Sequence, residues 1–140
     1  MLTGEYRHSL DPKNRIFIPA KHREELGETF MIACSFREKC LKVYSLTGWG
    51  EYIAPIEKQN RQLAERVLRF LHRTAIQVTP DKQGRVVLPE NLTSYAEIDK
   101  DLVVIGCGDH DEIWSDKLYN EIVLGENVEE LSKELEFYGL

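Results

Sequence analysis

Two arginines, Arg15 and Arg85, hold the same place in a stretch that the chain contains twice. The copies are Asp11-Pro12-Lys13-Asn14-Arg15-Ile16-Phe17-Ile18-Pro19 and Asp81-Lys82-Gln83-Gly84-Arg85-Val86-Val87-Leu88-Pro89, 70 residues apart. A guanidinium is a flat fork whose N–H groups bond in pairs to phosphate oxygens or to a guanine edge. Lys13 and Lys82 add point charges suited to phosphate, and Arg7 and Lys21 lie near the first copy in sequence. Asn14 either faces a base or shapes the turn. Asp11 and Asp81 begin the turns, where a carboxylate accepts an N–H two residues on, and the arginine four residues later is close enough to pair with it. Aspartate is a poor partner for phosphate, so its expected part is to form the turn and orient the arginine. The competing reading of Arg15 and Arg85 is an internal surface ion pair, which contributes about 0–1 kcal/mol. Gln83 stands where the first copy has Lys13, so the first copy is the expected primary contact.

Other reactive residues lead less far. His8 and Ser9 are neighbours on a predicted strand and point to opposite faces, so they do not work together with Asp11. Asp109-His110-Asp111 suggests a metal, but beside Gly108 and between two predicted strands it reads as a turn. No glycine-rich phosphate loop or nucleophile elbow is present. Cys34, Cys40 and Cys107 are an odd number without a C-x-x-C pair, which supports neither a disulfide framework nor a thiolate zinc site. The expectation is no enzyme, no cofactor, no metal and no small-molecule substrate.

Positioning the two turns takes strands and short helices. Tyr6–Leu10 alternates into the first turn, Arg15–Ile18 returns as a strand, and Pro19 opens a helix over Ala20–Leu26 that Gly27 closes. Phe30–Cys34 and Leu41–Tyr44 are further strands, and Ser45 or Thr47 caps a helix with Trp49 and Tyr52. From Ala75 the same order recurs without a gap through about forty residues. Between the copies, Pro55-Ile56 is expected to open a helix whose Leu63, Val67, Phe70 and Leu71 pack on the body, with Arg61, Arg66, Arg69 and Arg73 in solvent. At the end, Asn127 caps an acidic helix with a Val128, Leu131, Leu135 and Tyr138 stripe, a docking face within the chain or on a neighbouring subunit.

The chain has 140 residues, 42% of them hydrophobic, which is enough for a buried core and excludes a disordered tail protein. The N-terminus has no apolar export segment and no run spans a membrane, so a reducing cytoplasm is expected. The net charge of −6 is uneven. Residues 1–75 hold 13 Lys and Arg against 9 Asp and Glu, whereas residues 76–140 hold 5 against 15. That asymmetry suits a basic binding face on an acidic body as well as it suits an unevenly solvated surface. A forty-residue unit cannot bury its own apolar face, so the two repeats must pack on each other as a β-rich pseudo-dimer, with interleaved hairpins one way to do it.

The motif D-x-K-x-R-I-x-I-P, its partner D-x-x-G-R-V-x-L-P and the segment E-I-W-S at residues 112–115 resemble the MraZ family of bacterial transcriptional regulators, over essentially the whole chain. The resemblance implies an α+β fold, mostly β with short helices, in which two AbrB-like repeats form a pseudo-two-fold swapped-hairpin β-barrel. Repeat 1 would span 5–47, connecting helices 48–75, repeat 2 76–119 and the C-terminal helix 120–140. It further implies a nucleoid-associated protein and ring-shaped homo-oligomers that bind short direct repeats in double-stranded promoter DNA. The setting it implies is the division and cell-wall gene cluster, including the protein's own promoter. The residues expected to touch DNA are Arg15, Lys13, Asn14, Arg85, Lys82 and Arg7, with Asp11 and Asp81 orienting. The alternative is an AbrB-fold interaction module, antitoxin-like, that holds a protein partner on its acidic C-terminal helix.

Overall fold

Each copy of the repeated stretch forms a turn and the strand after it, and is followed by a short helix and a hairpin. A computed structural model describes residues 1–140. The first repeat gives β1 (Glu5–Ser9), β2 (Arg15–Phe17), α1 (Ala20–Leu26), β3 (Phe30–Cys34) and β4 (Leu41–Ser45). Two helices follow, α2 (Leu46–Glu57) and α3 (Arg61–Thr74). The second repeat supplies β5 (Ile76–Val78), β6 (Arg85–Val87), α4 (Glu90–Tyr95), β7 (Asp101–Gly106) and β8 (Asp111–Ser115). The chain ends with α5 (Asp116–Leu118), which runs on as a π-helical turn (Tyr119–Val123), and α6 (Val128–Phe137).

The strands do not pair within their own repeats alone. A six-stranded antiparallel sheet has the order β1-β7-β8-β4-β3-β5, and β2 and β6 form a separate two-stranded ribbon. The first repeat's β1 therefore lies on the second repeat's β7, with Tyr6 opposite Val104. In return, β5 of the second repeat lies on β3 of the first, with Ile32 opposite Ile76. The expected interleaving is present, and it solves the size problem, since neither repeat could cover its own apolar face. The main core combines both halves: Ile16, Ile18, Phe30, Ile32, Leu41 and Val43 meet Val86, Leu88, Leu92, Leu102, Val104 and Ile113. On the other face of the sheet a smaller cluster joins Cys40, Val103, Trp114, Leu118 and Tyr119.

Local signals placed most elements well. α1 covers the expected residues and ends at Gly27 with φ 90°, a left-handed conformation that favours glycine. Ser45 caps α2 by accepting from the Gly48 N–H at 3.0 Å, and Asn127 caps α6 by accepting from Glu130 at 3.1 Å. The connecting segment departs from expectation. Pro55 lies inside α2, and α3 starts only at Arg61, where Asn60 accepts from the Leu63 N–H at 2.9 Å. That cap fixes where α3 begins. The helix buries the expected Leu71, with Ala64 and Thr74, against the body and leaves Leu63 44% exposed. Phe70 packs against the main core as expected, and its outer edge lines a shallow apolar groove with Leu63, Val67, Phe36 and Arg66. The α6 stripe finds no cover within the chain, for Val128, Leu131, Leu135 and Tyr138 are all exposed.

Candidate nucleic-acid interface

The ribbon of β2 and β6 puts both motif arginines on one face. Arg15 pairs with Val87, Ile16 with Val86 and Phe17 with Arg85. Side chains alternate across a strand, so Ile16 and Val86 turn inward together and the odd-numbered residues turn outward. Burial agrees: Ile16 is 1% and Val86 3% exposed, against 48% for Phe17 and 52% for Val87. The outer face therefore carries two guanidinium groups at opposite corners and two exposed apolar side chains between them, related by the pseudo-two-fold axis.

The aspartates do what the spacing required. The Asp11 carboxylate accepts the N–H groups of Lys13 and Arg15 at 2.9 Å each, and Arg15 Nε donates to it at 2.6 Å. Asp81 accepts from Gln83, Arg85 and Arg85 Nε, all at 2.9 Å. In both turns only Nε of the arginine is engaged within the chain. The two terminal nitrogens of each guanidinium stay free, the pair needed for a bidentate contact.

Left-handed backbone closes both turns. Asn14 has φ 55° and Gly84, its equivalent, φ 83°. Asparagine is one of the few residues with a side chain that enters this region readily, so Asn14 has a turn-shaping role whatever else it touches. The carbonyl of Asn14 accepts from Leu88 N–H at 2.8 Å and that of Gly84 from Ile18 N–H at 3.1 Å. Each turn is thus stitched to the opposite repeat, which holds the two arginines in fixed relation. Lys13, Asn14, Lys82 and Gln83 are exposed at the turns.

Arg7 stands apart from this cluster. Its Nη1 donates to Asp116 at 2.7 Å and its guanidinium lies 5.3 Å from the centre of the Tyr119 ring. Its partners belong to the tail side of the sheet rather than to either turn. Sequence reasoning missed Arg23. Its guanidinium packs on Gly84, where a Cβ would come within 2.6 Å of Arg23 Cζ, and its Nε donates to the Ile18 carbonyl at 3.1 Å. Arg23 thus brings a cation from α1 to the turn that lacks a counterpart of Lys13. It also missed that Phe17 and Val87 are outward-facing, although the period of two in Arg15-Ile16-Phe17 already carried that information.

These turns should respond to acid. In Asp11 desolvation pushes the carboxyl up, but the N–H groups of Arg15 and Lys13 and the Arg15 guanidinium together outweigh it, and its pKa lies below the ordinary value. In Asp81 the Arg85 backbone N–H leads the same downward shift. A carboxyl depressed in the folded state adds stability that is whole above the unfolded value, about 3.9, and is lost as pH falls through the lower folded value. The urea stability of the wild type should therefore exceed that of Asp81→Asn by a constant margin above about pH 4, and the margin should shrink below it. A margin independent of pH down to full protonation would show that the carboxylate charge is not what stabilises the turn.

Known proteins resemble the chain over most of its length. A family model described as "MraZ protein, putative antitoxin-like" matches twice, over residues 1–71 and 70–136. The chain is 42% identical to the "Transcriptional regulator MraZ" of Dictyoglomus turgidum, over 96% of this chain and 93% of that one. It is 39% identical to the protein of the same name from Caldicellulosiruptor bescii over the full length of both chains. The Clostridium tetani protein of that name is 41% identical over 86% of each. No helix of the fold is long and apolar enough to cross a membrane.

Proposed function

The chain belongs to the MraZ family, and from that premise we propose that it regulates transcription by binding short direct repeats in double-stranded promoter DNA through the outer face of the β2–β6 ribbon. The observation that carries this reading is the pair of aspartate-held arginines with free terminal nitrogens on one exposed face. Arg15 and Arg85 supply forks for a guanine edge or paired phosphate oxygens, while Lys13, Lys82 and Arg23 supply charge toward the backbone. Phe17 and Val87 offer apolar contact to a thymine methyl. The targets expected from the family are promoters of the division and cell-wall cluster, including the protein's own, in a cytoplasmic, nucleoid-associated setting.

One chain carries few such contacts on an acidic body, so a single protomer binds weakly. A ring-shaped homo-oligomer that engages adjacent DNA repeats gains affinity through effective concentration without any new kind of contact. Two surfaces support self-assembly: the exposed stripe of α6, flanked by Glu129, Glu130, Glu134 and Glu136, and the apolar groove along α3, bordered by Arg66. Their charges are opposite and their apolar faces unpartnered.

A mobility shift on DNA from upstream of the protein's own gene, run at increasing salt, tests the proposal. If an assembly neutralises six or more phosphates, its affinity falls by about a thousandfold between roughly 50 and 200 mM salt. Affinity flat across that range would remove the phosphate-anchoring account. The same α6 stripe supports a second reading, a protein-interaction module of the antitoxin kind. Absence of wild-type binding at low salt would favour it.

A further inference from the structure

We propose that Cys107, His110 and Glu112, at the tip of the β7–β8 hairpin, form a site for one zinc-class divalent cation per chain. The Sγ of Cys107, a ring nitrogen of His110 and a carboxylate oxygen of Glu112 all lie within 4.8 Å of one another. With metal–ligand bonds of about 2.0–2.3 Å, the edges of a tetrahedral site are about 3.3–3.8 Å. His110 Nε2 and Glu112 Oε2 are already 3.5 Å apart. Only the Cys107 side chain, exposed at the tip, has to close in.

The far side of each fixed ligand is already held. His110 Nδ1 bonds to Asp109 Oδ1 at 2.6 Å, and the ring stacks on Tyr44 with centroids 5.0 Å apart. A carboxylate on Nδ1 leaves Nε2 as the coordinating atom and fixes the ring's direction, the arrangement that metal-binding histidines use. His110 Nε2 is buried and has no hydrogen-bond partner, which is costly for a polar atom unless something else occupies that position. Glu112 Oε1 accepts from Trp114 Nε1 at 2.9 Å, so Oε2 is left for the site. The rival occupant is a proton on Nε2, giving an imidazolium between Asp109 and Glu112. The cation nearest in sequence register, Lys42, stands opposite Glu112 on β4, but its ammonium lies on the Tyr52 ring and forms no ion pair there.

Thiolate, imidazole and carboxylate together select a borderline metal such as Zn²⁺ or Co²⁺ over Mg²⁺ or Ca²⁺. Three protein ligands leave a fourth position for water. The other repeat has no counterpart, since Arg37, Cys40 and Lys42 hold the equivalent positions and Cys40 is fully buried. From the sequence Asp109-His110-Asp111 reads as a turn with no metal, and the motif as it stands is not the ligand set. Asp111 starts β8 and points inward to His22, while Cys107 and Glu112 complete the set.

The test is Co²⁺ titration of the reduced, metal-stripped full-length chain, read by thiolate-to-cobalt charge-transfer absorption. The band should grow to one Co²⁺ per chain and be abolished by added Zn²⁺. Cys107→Ser should abolish it, and His110→Ala and Glu112→Gln should each weaken binding by tenfold or more. Asp109→Asn should keep the band and weaken binding by about 10–100-fold, since it only orients the histidine. Because Cys34 and Cys40 are buried, a band that survives Cys107→Ser would overturn the assignment. So would a wild-type chain with no band at all, the result expected of the imidazolium.

Discussion

Replacing Arg15 with alanine should lower the affinity for direct-repeat promoter DNA by about 5- to 150-fold, the value of one bidentate arginine contact, at about 1–3 kcal/mol. The geometry gives the reason for so large an effect. Asp11 fixes Nε, the turn is stitched to Leu88 of the other repeat, and the two terminal nitrogens are pre-set at little entropic cost. In an oligomer every subunit loses its fork at once, so the loss compounds over the repeats engaged. Arg15→Lys keeps the charge without the fork and should recover only part of the affinity, with the salt slope nearly restored. Arg85→Ala should cost a loss within a few-fold of that of Arg15→Ala. Its aspartate contacts match those of Arg15, and Arg23 beside Gly84 makes up for the missing counterpart of Lys13. Mobility shifts at fixed salt with each variant measure all three. Wild-type affinity in Arg15→Ala would take the ribbon out of the DNA site.

What could be read along the chain was what lies within about five residues. The Asx turns, the aspartate-to-arginine bonds, the proline before α1, the closing Gly27 and the caps at Ser45 and Asn127 all follow from local geometry. Interleaving needed a different argument, from the surface that a forty-residue unit leaves uncovered. The contacts that were missed share one cause: they exist only once the repeats exchange strands. Arg23 reaches a turn 61 residues away along the chain, and the His22–Asp111 bond joins positions 89 apart. The facing of α3 failed for a smaller reason. The helix starts at the Asn60 cap rather than at Pro55, and Ala64 turns inward beside the expected Leu71 while Leu63 stays exposed.

The exchange also builds a buried polar pair, and breaking it should be the costliest single change in the fold. His22 on α1 is 3% exposed and Asp111 on β8 is 0% exposed. Both carboxylate oxygens lie 2.8 Å from His22 Nδ1, while Nε2 lies 2.9 Å from the Thr3 carbonyl. A carbonyl only accepts, so Nε2 carries a proton, and a second proton lies between Nδ1 and the carboxylate. Burial pushes the Asp111 carboxyl up, and His22 pulls it back. Removing either partner strands the other without solvent, at about 3–5 kcal/mol, which lowers Tm by on the order of 10 °C in a domain of this size. Yet the equivalent positions of the other half, Leu92 and Leu41, are both leucine and both fully buried. The fold itself therefore does not require a charge here, and a buried pair is often replaceable by apolar side chains at no net loss. His22→Leu and Asp111→Leu should each be strongly destabilised, whereas the double variant should return to within about 1–2 kcal/mol of the wild type, the residue being imperfect repacking. Urea unfolding at one fixed protein concentration gives the coupling energy, because assembly would otherwise shift the midpoint. Losses that simply add in the double variant would show that the two side chains do not act as a unit.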